Sequence, residues 1–197
     1  MITLSQYSSD SGWEQVTGPQ GVVWNYFDGA QYFGRFGYVP VYGWNYGGWR
    51  FLMTGIKRYA FISSATLRLT RYIARGFVTN GSLYAIKEEN VNISTAWANR
   101  WVARTLTTAS VVWQFPTGNA QQQSTSSDIK TVVQEIVNQS TWSEGNAIGL
   151  LYYGTETPSD STQYVYGQGE ATVARKPLLT VTYKNPGPFA SGVPSIT

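Results

Sequence analysis

Short apolar stretches separated by turn residues make up most of the chain. Within residues 65–72, Leu67 and Leu69 alternate with polar neighbours, as in a strand with one buried face. A turn signal, Asn80-Gly81, precedes another such stretch. Further strands are predicted for residues 22–26, 82–87, 149–153, 163–166 and 178–183. The pattern predicts an all-β fold built from antiparallel strands.

One segment follows a helical period. Between residues 127 and 138 the apolar positions recur at the i, i+3, i+4, i+7 spacing of an amphipathic helix. Ser127 is placed to cap this helix, and Asp128 would lie in its first turn, where the helix dipole favours negative charge. We expect the helix to cross one open end or face of a β-sandwich.

Two regions are predicted to be irregular. Residues 28–49 mix glycine with aromatic residues and are interpreted as a loop inserted into a single domain of residues 1–184. Residues 185–197 are interrupted by proline and glycine, and they are predicted to form an extended tail.

Composition removes most catalytic side chains. The chain of 197 residues has no His and no Cys, so it has no imidazole base, no thiolate and no soft metal ligand. Charged residues are 13%, about half of the typical ~25%. The net charge is +3. The basic residues are densest at Lys57, Arg58, Arg68, Arg71 and Arg75, and we interpret them as a solvated strand face.

The N-terminal residues do not resemble a secretion signal. No basic segment followed by an apolar one is present at residues 1–10, and no run of about 18 apolar residues occurs anywhere. We therefore expect neither a signal peptide nor a transmembrane segment. No Lys/Arg-rich run points to nucleic acid. The chain is interpreted as a complete cytosolic product or a module of something larger.

An ordered set of motifs resembles one family. Arg50-Phe51-Leu52-Met53 is followed by Ile62-Ser63-Ser64-Ala65-Thr66-Leu67-Arg68-Leu69, the 107–113 segment, the helix at 128–137, Trp142-Ser143-Glu144-Gly145-Asn146-Ala147 and Arg175-Lys176-Pro177-Leu178-Leu179-Thr180-Val181-Thr182-Tyr183. In order and spacing, residues 45–183 resemble DNRLRE-type jelly-roll modules. The resemblance implies a double-sheet β-sandwich of a kind found in secreted bacterial proteins and in phage virions. Some relatives bind polysaccharides such as alginate, and others are purely structural.

Few acidic residues are available to form a catalytic pair or a metal site. Acids that could form a hydrolase pair are Glu88, Glu89, Glu144, Glu156, Asp160 and Glu170. They form no recognisable catalytic motif, and surface acids are the simpler interpretation. Asp10, Asp28 and residues 156–160 leave a structural calcium site open, although they form no calcium-binding loop motif. We predict no cofactor and no metal.

The aromatic residues of the 28–49 region are the candidate contact site. Three interpretations stay open: a lid or core layer, a subunit contact, and a stacking platform for sugar rings. The candidate residues are Tyr38, Tyr42, Trp44, Tyr46 and Trp49. Trp97, Trp101, Trp113 and Trp142 are predicted to fill the core.

The tail is a second candidate contact. Its Pro186, Phe189, Val193 and Ile196 are spaced as in an arm that docks on a neighbouring subunit, and simple disorder is the alternative.

Together these features predict a non-enzymatic virion protein, a phage capsid decoration (cement) protein or a head or tail accessory subunit. Decoration subunits favour sandwich folds with terminal arms, an analogy at the level of the fold. We expect a homo-oligomer, with a trimer favoured, that contacts a major capsid or other virion protein. The alternatives are a carbohydrate-binding module or receptor-binding adhesin that recognises a polysaccharide, and a polysaccharide lyase or hydrolase with clustered carboxylates or Tyr–Arg pairs.

Overall fold

Twelve strands, one α-helix and one 3₁₀ turn make up the computed structural model, which describes residues 1–16, 23–27, 33–39, 43–91, 104–154 and 161–187. The strands are β1 (Ile2–Tyr7), β2 (Asp10–Val16), β3 (Val23–Phe27), β4 (Phe33–Val39), β5 (Gly43–Leu52), β6 (Phe61–Thr70), β7 (Thr79–Ala85), β8 (Val111–Phe115), β9 (Gln123–Thr125), β10 (Ala147–Gly154), β11 (Gln163–Tyr166) and β12 (Leu178–Lys184). The helix α1 is Lys130–Val137, and the 3₁₀ turn is Val173–Arg175.

The strands form two antiparallel sheets packed against each other. The smaller sheet has the order β1-β12-β6-β9, and the larger one has the order β11-β4-β5-β10-β7-β8, with β2 paired to both β5 and β3. This arrangement confirms the predicted all-β sandwich, which is jelly-roll-like. Strands β6 and β12 of the smaller sheet face β5, β7 and β10 of the larger one across the core.

The core follows from the two-residue period of the strands. Trp49 and Phe51 of β5 point inward, as do Leu67 and Leu69 of β6, and all four are fully buried. Trp113 and Trp142 are buried in the same core, as predicted, whereas Trp97 and Trp101 lie outside the described residues.

The outer face of the larger sheet carries a second apolar layer. Its buried residues are Tyr46, Ile86, Val91 and Leu151, against which Trp44, Leu106 and Tyr153 pack. The rings of Tyr46 and Tyr153 are 4.7 Å apart. Strand β5 therefore contributes aromatic side chains to two separate apolar layers, one on each of its faces.

The helix covers the core beside β6, and its bounds are narrower than the predicted 127–138. Val132, Val133, Ile136 and Val137 are its buried face. Ser127 was predicted to cap it, and this was wrong, because the helix has no side-chain N-cap hydrogen bond. Instead, the Asp128 carboxylate accepts hydrogen bonds from the Lys130 and Ala65 amides at 3.0 and 2.9 Å, tying the start of the helix to β6.

Two predictions of irregular structure were wrong for one reason. Residues 28–49 were predicted as a loop, but they contain β4 and most of β5; Asn80-Gly81 was predicted as a turn, but it lies inside β7. A Cβ on Gly47 would lie 3.1 Å from the rings of Phe36 and Trp49, and one on Gly81 would lie 2.5 Å from the Tyr152 ring. These glycines make room for aromatic rings within strands.

The chain crosses from the smaller to the larger sheet between β6 and β7. Along this crossing, Arg71 forms an isolated antiparallel bridge with Val165 of β11, and Arg75 forms another with Gly118. The Tyr72 amide donates to the Tyr164 carbonyl oxygen at 2.8 Å. The crossing segment is therefore held against β11 at this end of the sandwich.

Candidate functional site

Arginine and tyrosine side chains meet where the β6–β7 crossing lies against β11. The guanidinium carbon of Arg75 is 4.7 Å from the centre of the Tyr164 ring, and that of Arg175 is 5.4 Å from the centre of the Tyr166 ring. Tyr72 packs edge-on against Tyr166 at 5.3 Å. We call these five residues (Tyr72, Arg75, Tyr164, Tyr166 and Arg175) the Arg–Tyr surface.

Strand alternation explains why the two pairs share a face. Gln163 and Val165 of β11 point inward and are fully buried, so Tyr164 and Tyr166 leave the opposite face of the strand. On that face Tyr164 is half-buried, and Tyr166 is only 7% exposed where Tyr72 and Arg175 pack against it. Arg35 of β4 is directly opposite Tyr164 in the strand register, which places a further cation on the same face. Tyr72 keeps 39% of its surface exposed, so the surface meets solvent.

Arg71 is buried next to this surface and holds it in place. Its side chain is only 1% exposed, and its guanidinium donates to the Gln163 amide oxygen and to the Pro116 carbonyl oxygen. The guanidinium also stands 4.9 Å from the centre of the Phe115 ring. Burial lowers the pKa of Arg71 from its ordinary value. Arg71 thus joins β11 to the ends of β6 and β8.

Arg75 and Arg175 differ in their contacts with carboxylates. Arg175 pairs with the Glu170 carboxylate at 3.6 Å and donates to Gln121 at 3.0 Å. In the described part of the chain, Arg75 contacts no carboxylate, and its Nε is buried without a hydrogen-bond partner. Among the described residues, Glu170 is therefore the one carboxylate that contacts Arg75 or Arg175.

This arrangement suits anion binding better than proton transfer. A guanidinium stacked on a ring can direct the N–H donors of its edge at a carboxylate, as Arg175 already does with Glu170. A tyrosine acting as a base would need its hydroxyl, not its ring face, at the reacting atom. The stacked pairs present donors, and they are geometrically suited to binding.

The aromatic residues predicted as a site do not form one continuous surface. Trp49 is fully buried in the main core, while Tyr46 is buried, and Trp44 half-buried, in the outer layer. Tyr38 lies in β4 opposite Trp44 in register, and Tyr42 lies outside the described residues. Trp44, Tyr46 and Trp49 are therefore packing residues in this fold.

The root of the tail is described, and the rest is not. The Asn185 side chain accepts a hydrogen bond from the Lys57 amide at 3.0 Å and donates one to the Gly55 carbonyl oxygen at 2.9 Å. Pro186 follows and is exposed. Phe189, Val193 and Ile196 lie outside the described residues. Tyr59 and Phe61 are more than half exposed, and Phe61 lies opposite Lys184, the last residue of β12, in the strand register.

The candidate acids are dispersed. Glu88 pairs with Arg104 at 3.3 Å, Glu170 pairs with Arg175, and Glu89 and Glu144 are exposed. Glu156 and Asp160 lie outside the described residues, as does Asp28. Among the residues that the structure describes, no three potential metal ligands cluster. In the same residues, no helix has the length and apolar character needed to span a membrane.

The Arg–Tyr surface was missed because its parts lie far apart in sequence. Arg71 and Arg75 were interpreted as part of a solvated strand face, which is wrong for the buried Arg71, and residues 163–166 were predicted as a strand about 90 positions away. The alternation of Tyr164 and Tyr166 about Val165 was the available signal, since it indicates two tyrosines on one face. Which arginines would meet them depended on the paths of the β6–β7 crossing and of the 3₁₀ turn.

Comparison with known proteins adds no assignment. No protein-family model matches the chain, and a search of curated proteins finds no match either. The resemblance to DNRLRE-type modules therefore stays a prediction.

Proposed function

We propose that this protein is a non-enzymatic structural subunit of a phage virion, a capsid decoration (cement) protein or a head or tail accessory subunit. In this role it stabilises a shell by binding neighbouring proteins. Its partners are a major capsid or other virion protein and further copies of itself, with a trimer favoured.

The observation that carries this proposal is the Arg–Tyr surface. Arginine and tyrosine are the residues most enriched at the energetic centres of protein interfaces. Here two arginines are already stacked on tyrosine rings, so less side-chain freedom is lost on binding. The tyrosines of both pairs also lie on strand β11, which holds their rings in place and suits a static contact.

The first experiment measures whether the chain is a component of virions. Virions purified from cells that produce this chain are analysed by quantitative mass spectrometry, and they should contain the chain at a fixed copy number relative to the shell protein. Particles assembled without it should release their DNA at a lower temperature, and adding purified protein should restore the release temperature. Absence from the particles, or trace amounts without a fixed ratio, would contradict the proposal.

The oligomeric state is tested separately. Sedimentation equilibrium of the purified chain should give a mass three times that of the 21.9 kDa protomer. A monomer at all concentrations would remove the trimer from the proposal. A monomeric subunit that binds the shell would still be found in virions at a fixed copy number, so the two experiments test different parts of the proposal.

A carbohydrate-binding module or receptor-binding adhesin is the second candidate. The exposed ring of Tyr72, beside Tyr166, is the observation that favours it, because an accessible aromatic face can stack on a sugar ring. Titration with a panel of neutral and acidic polysaccharides, followed by intrinsic fluorescence, tests it. Saturable quenching that Tyr72→Ala abolishes and Tyr59→Ala does not would support this candidate.

A further inference from the structure

The two Arg-over-Tyr pairs repeat at the period of a β-strand. Tyr164 and Tyr166 are two residues apart on β11, so their side chains leave the same face about 6.6 to 6.8 Å apart. Arg75 stacks on the first ring and Arg175 on the second. The two rings that carry the guanidinium groups therefore repeat along β11 at this spacing.

An extended peptide has the same period. In a β-conformation its alternate side chains point to one side, again about 6.6 to 6.8 Å apart. A peptide with carboxylates at alternate positions would thus bring one carboxylate to each guanidinium. Arginine is suited to this role because its planar fork matches the two oxygens of a carboxylate.

The charges on the surface favour an acidic partner. Arg75 has no carboxylate partner in the described part of the chain. Arg175 has one carboxylate partner, Glu170, but a guanidinium carries five N–H donors. Among the described residues, the two guanidinium groups of Arg75 and Arg175 share the one carboxylate of Glu170, which leaves this pair of cations with a net positive charge.

We propose that the Arg–Tyr surface binds an extended acidic segment of a partner protein, with carboxylates on alternate residues. This inference rests on the proposed role as an assembly subunit and names the chemistry of its partner. Stacking of Arg75 over Tyr164 favours an anionic peptide over a neutral sugar, because the guanidinium covers one face of the ring that a sugar would need.

The test uses two fluorescein-labelled peptides of identical composition. One is a twelve-residue peptide of alternating glutamate and threonine, and the other has the same residues in one glutamate block and one threonine block. Fluorescence anisotropy with the full chain should show tighter binding of the alternating peptide, by about threefold to tenfold. The binding should weaken as salt rises, since exposed ion pairs are screened.

Charge-matched variants locate the binding. Arg75→Gln and Arg175→Gln should each weaken binding of the alternating peptide about threefold to tenfold, and Arg75→Lys should weaken it less than Arg75→Gln. Arg58→Gln is the control, because Arg58 also stacks on a tyrosine, Tyr59 at 5.1 Å, and its loss changes the net charge equally. It should leave binding unchanged.

Equal binding of the two peptides by the unmodified chain would overturn the proposal, and this comparison needs no variant to fold. An equal loss in Arg58→Gln would overturn it as well, since it would indicate general attraction to a basic protein. Tighter binding of polygalacturonate, lost in Arg75→Gln, would replace the peptide with an acidic polysaccharide. The virion composition experiment is independent, so failure of either idea is recognisable by itself.

Discussion

The buried guanidinium of Arg71 donates a hydrogen bond to the side-chain amide oxygen of Gln163. This contact joins the residue that follows β6 to the first residue of β11, although they are 92 positions apart. The Gln163 amide nitrogen in turn donates to the Phe77 carbonyl oxygen at 2.9 Å. Arg71 and Gln163 together therefore hold the β6–β7 crossing against β11 and position the Arg–Tyr surface.

Replacing Arg71 tests that anchoring role. Arg71→Lys keeps a positive charge but has one ammonium group for the two acceptors, Gln163 and Pro116, and it loses the stacking on Phe115. We expect a loss of about 2 kcal/mol in the free energy of unfolding, measured by urea denaturation. Arg68→Lys is the control, because Arg68 lies partly exposed and, among the described residues, its guanidinium donates one hydrogen bond, to the Ala174 carbonyl oxygen. It should change stability by less than about 0.5 kcal/mol.

Two adjacent tyrosines of β10 should respond differently to loss of the hydroxyl. The Tyr152 hydroxyl is buried, 2.8 Å from the carbonyl oxygens of both Thr79 and Trp113. Tyr152→Phe leaves buried acceptors without this donor and should reduce the free energy of unfolding by about 1–2 kcal/mol. Tyr153 faces the outer layer, half-buried, so Tyr153→Phe should stay within about 0.5 kcal/mol. Equal losses of stability in Tyr152→Phe and Tyr153→Phe, measured by thermal or urea unfolding, would contradict this account.

Glu135 makes stability depend on pH. Partial burial of the carboxylate raises its pKa, but hydrogen bonds from the Ala109 and Thr108 amides, together with Lys87 at 3.2 Å, outweigh this effect, so the pKa of Glu135 lies below its ordinary value of 4.5. The unfolded chain therefore binds this proton more readily than the folded chain. The stabilisation is present above pH 4.5 and is lost as the pH falls through the lower folded value.

Glu135→Gln checks this dependence. The variant should be less stable than the unmodified protein at neutral pH, and the difference should shrink as the pH falls below 4.5. Urea denaturation at a series of pH values measures it. Glu144→Gln removes the same charge from an exposed side chain and should match the unmodified protein at neutral pH. A difference for Glu135→Gln that persists unchanged into acid would refute the argument.

Trp44 should contribute to the stability of the fold and not to polysaccharide binding. Its ring packs with the outer layer and lies directly over Gly154, where a Cβ would collide with it. Trp44→Ala should lower the free energy of unfolding by about 2–3 kcal/mol, because it removes a large half-buried ring and leaves a cavity. Tyr59→Ala, at a ring that is 52% exposed, should change stability by less than about 1 kcal/mol. If Trp44→Ala instead kept normal stability but lost polysaccharide binding, the interpretation of Trp44 as part of a sugar-stacking platform would be restored.

The wrong loop prediction for residues 28–49 shows where local patterns fail. Glycine next to aromatic residues is typical of turns, and nothing local shows that Gly47 lies between the rings of Phe36 and Trp49. Similarly, the helix was predicted from its apolar spacing, but its first amide is satisfied by Asp128 rather than by a Ser127 cap, because the same carboxylate also accepts from Ala65 of β6. In each case a contact distant in sequence decided the local structure.

The sequence by itself determined the β-rich architecture, the single amphipathic helix in the described chain and the final strand. It also determined the burial of Trp113 and Trp142. Each of these follows from hydrophobic periodicity, a local property that indicates which face of an element is buried. Only the tertiary structure decided that the aromatics of β5 serve two packing layers, and that arginines of the β6–β7 crossing and of the 3₁₀ turn stack on the tyrosines of β11. Those contacts depend on which strands become neighbours. Strand pairing joins residues far apart in the chain, and the energy of that pairing is spread over the whole sandwich rather than encoded in any one segment.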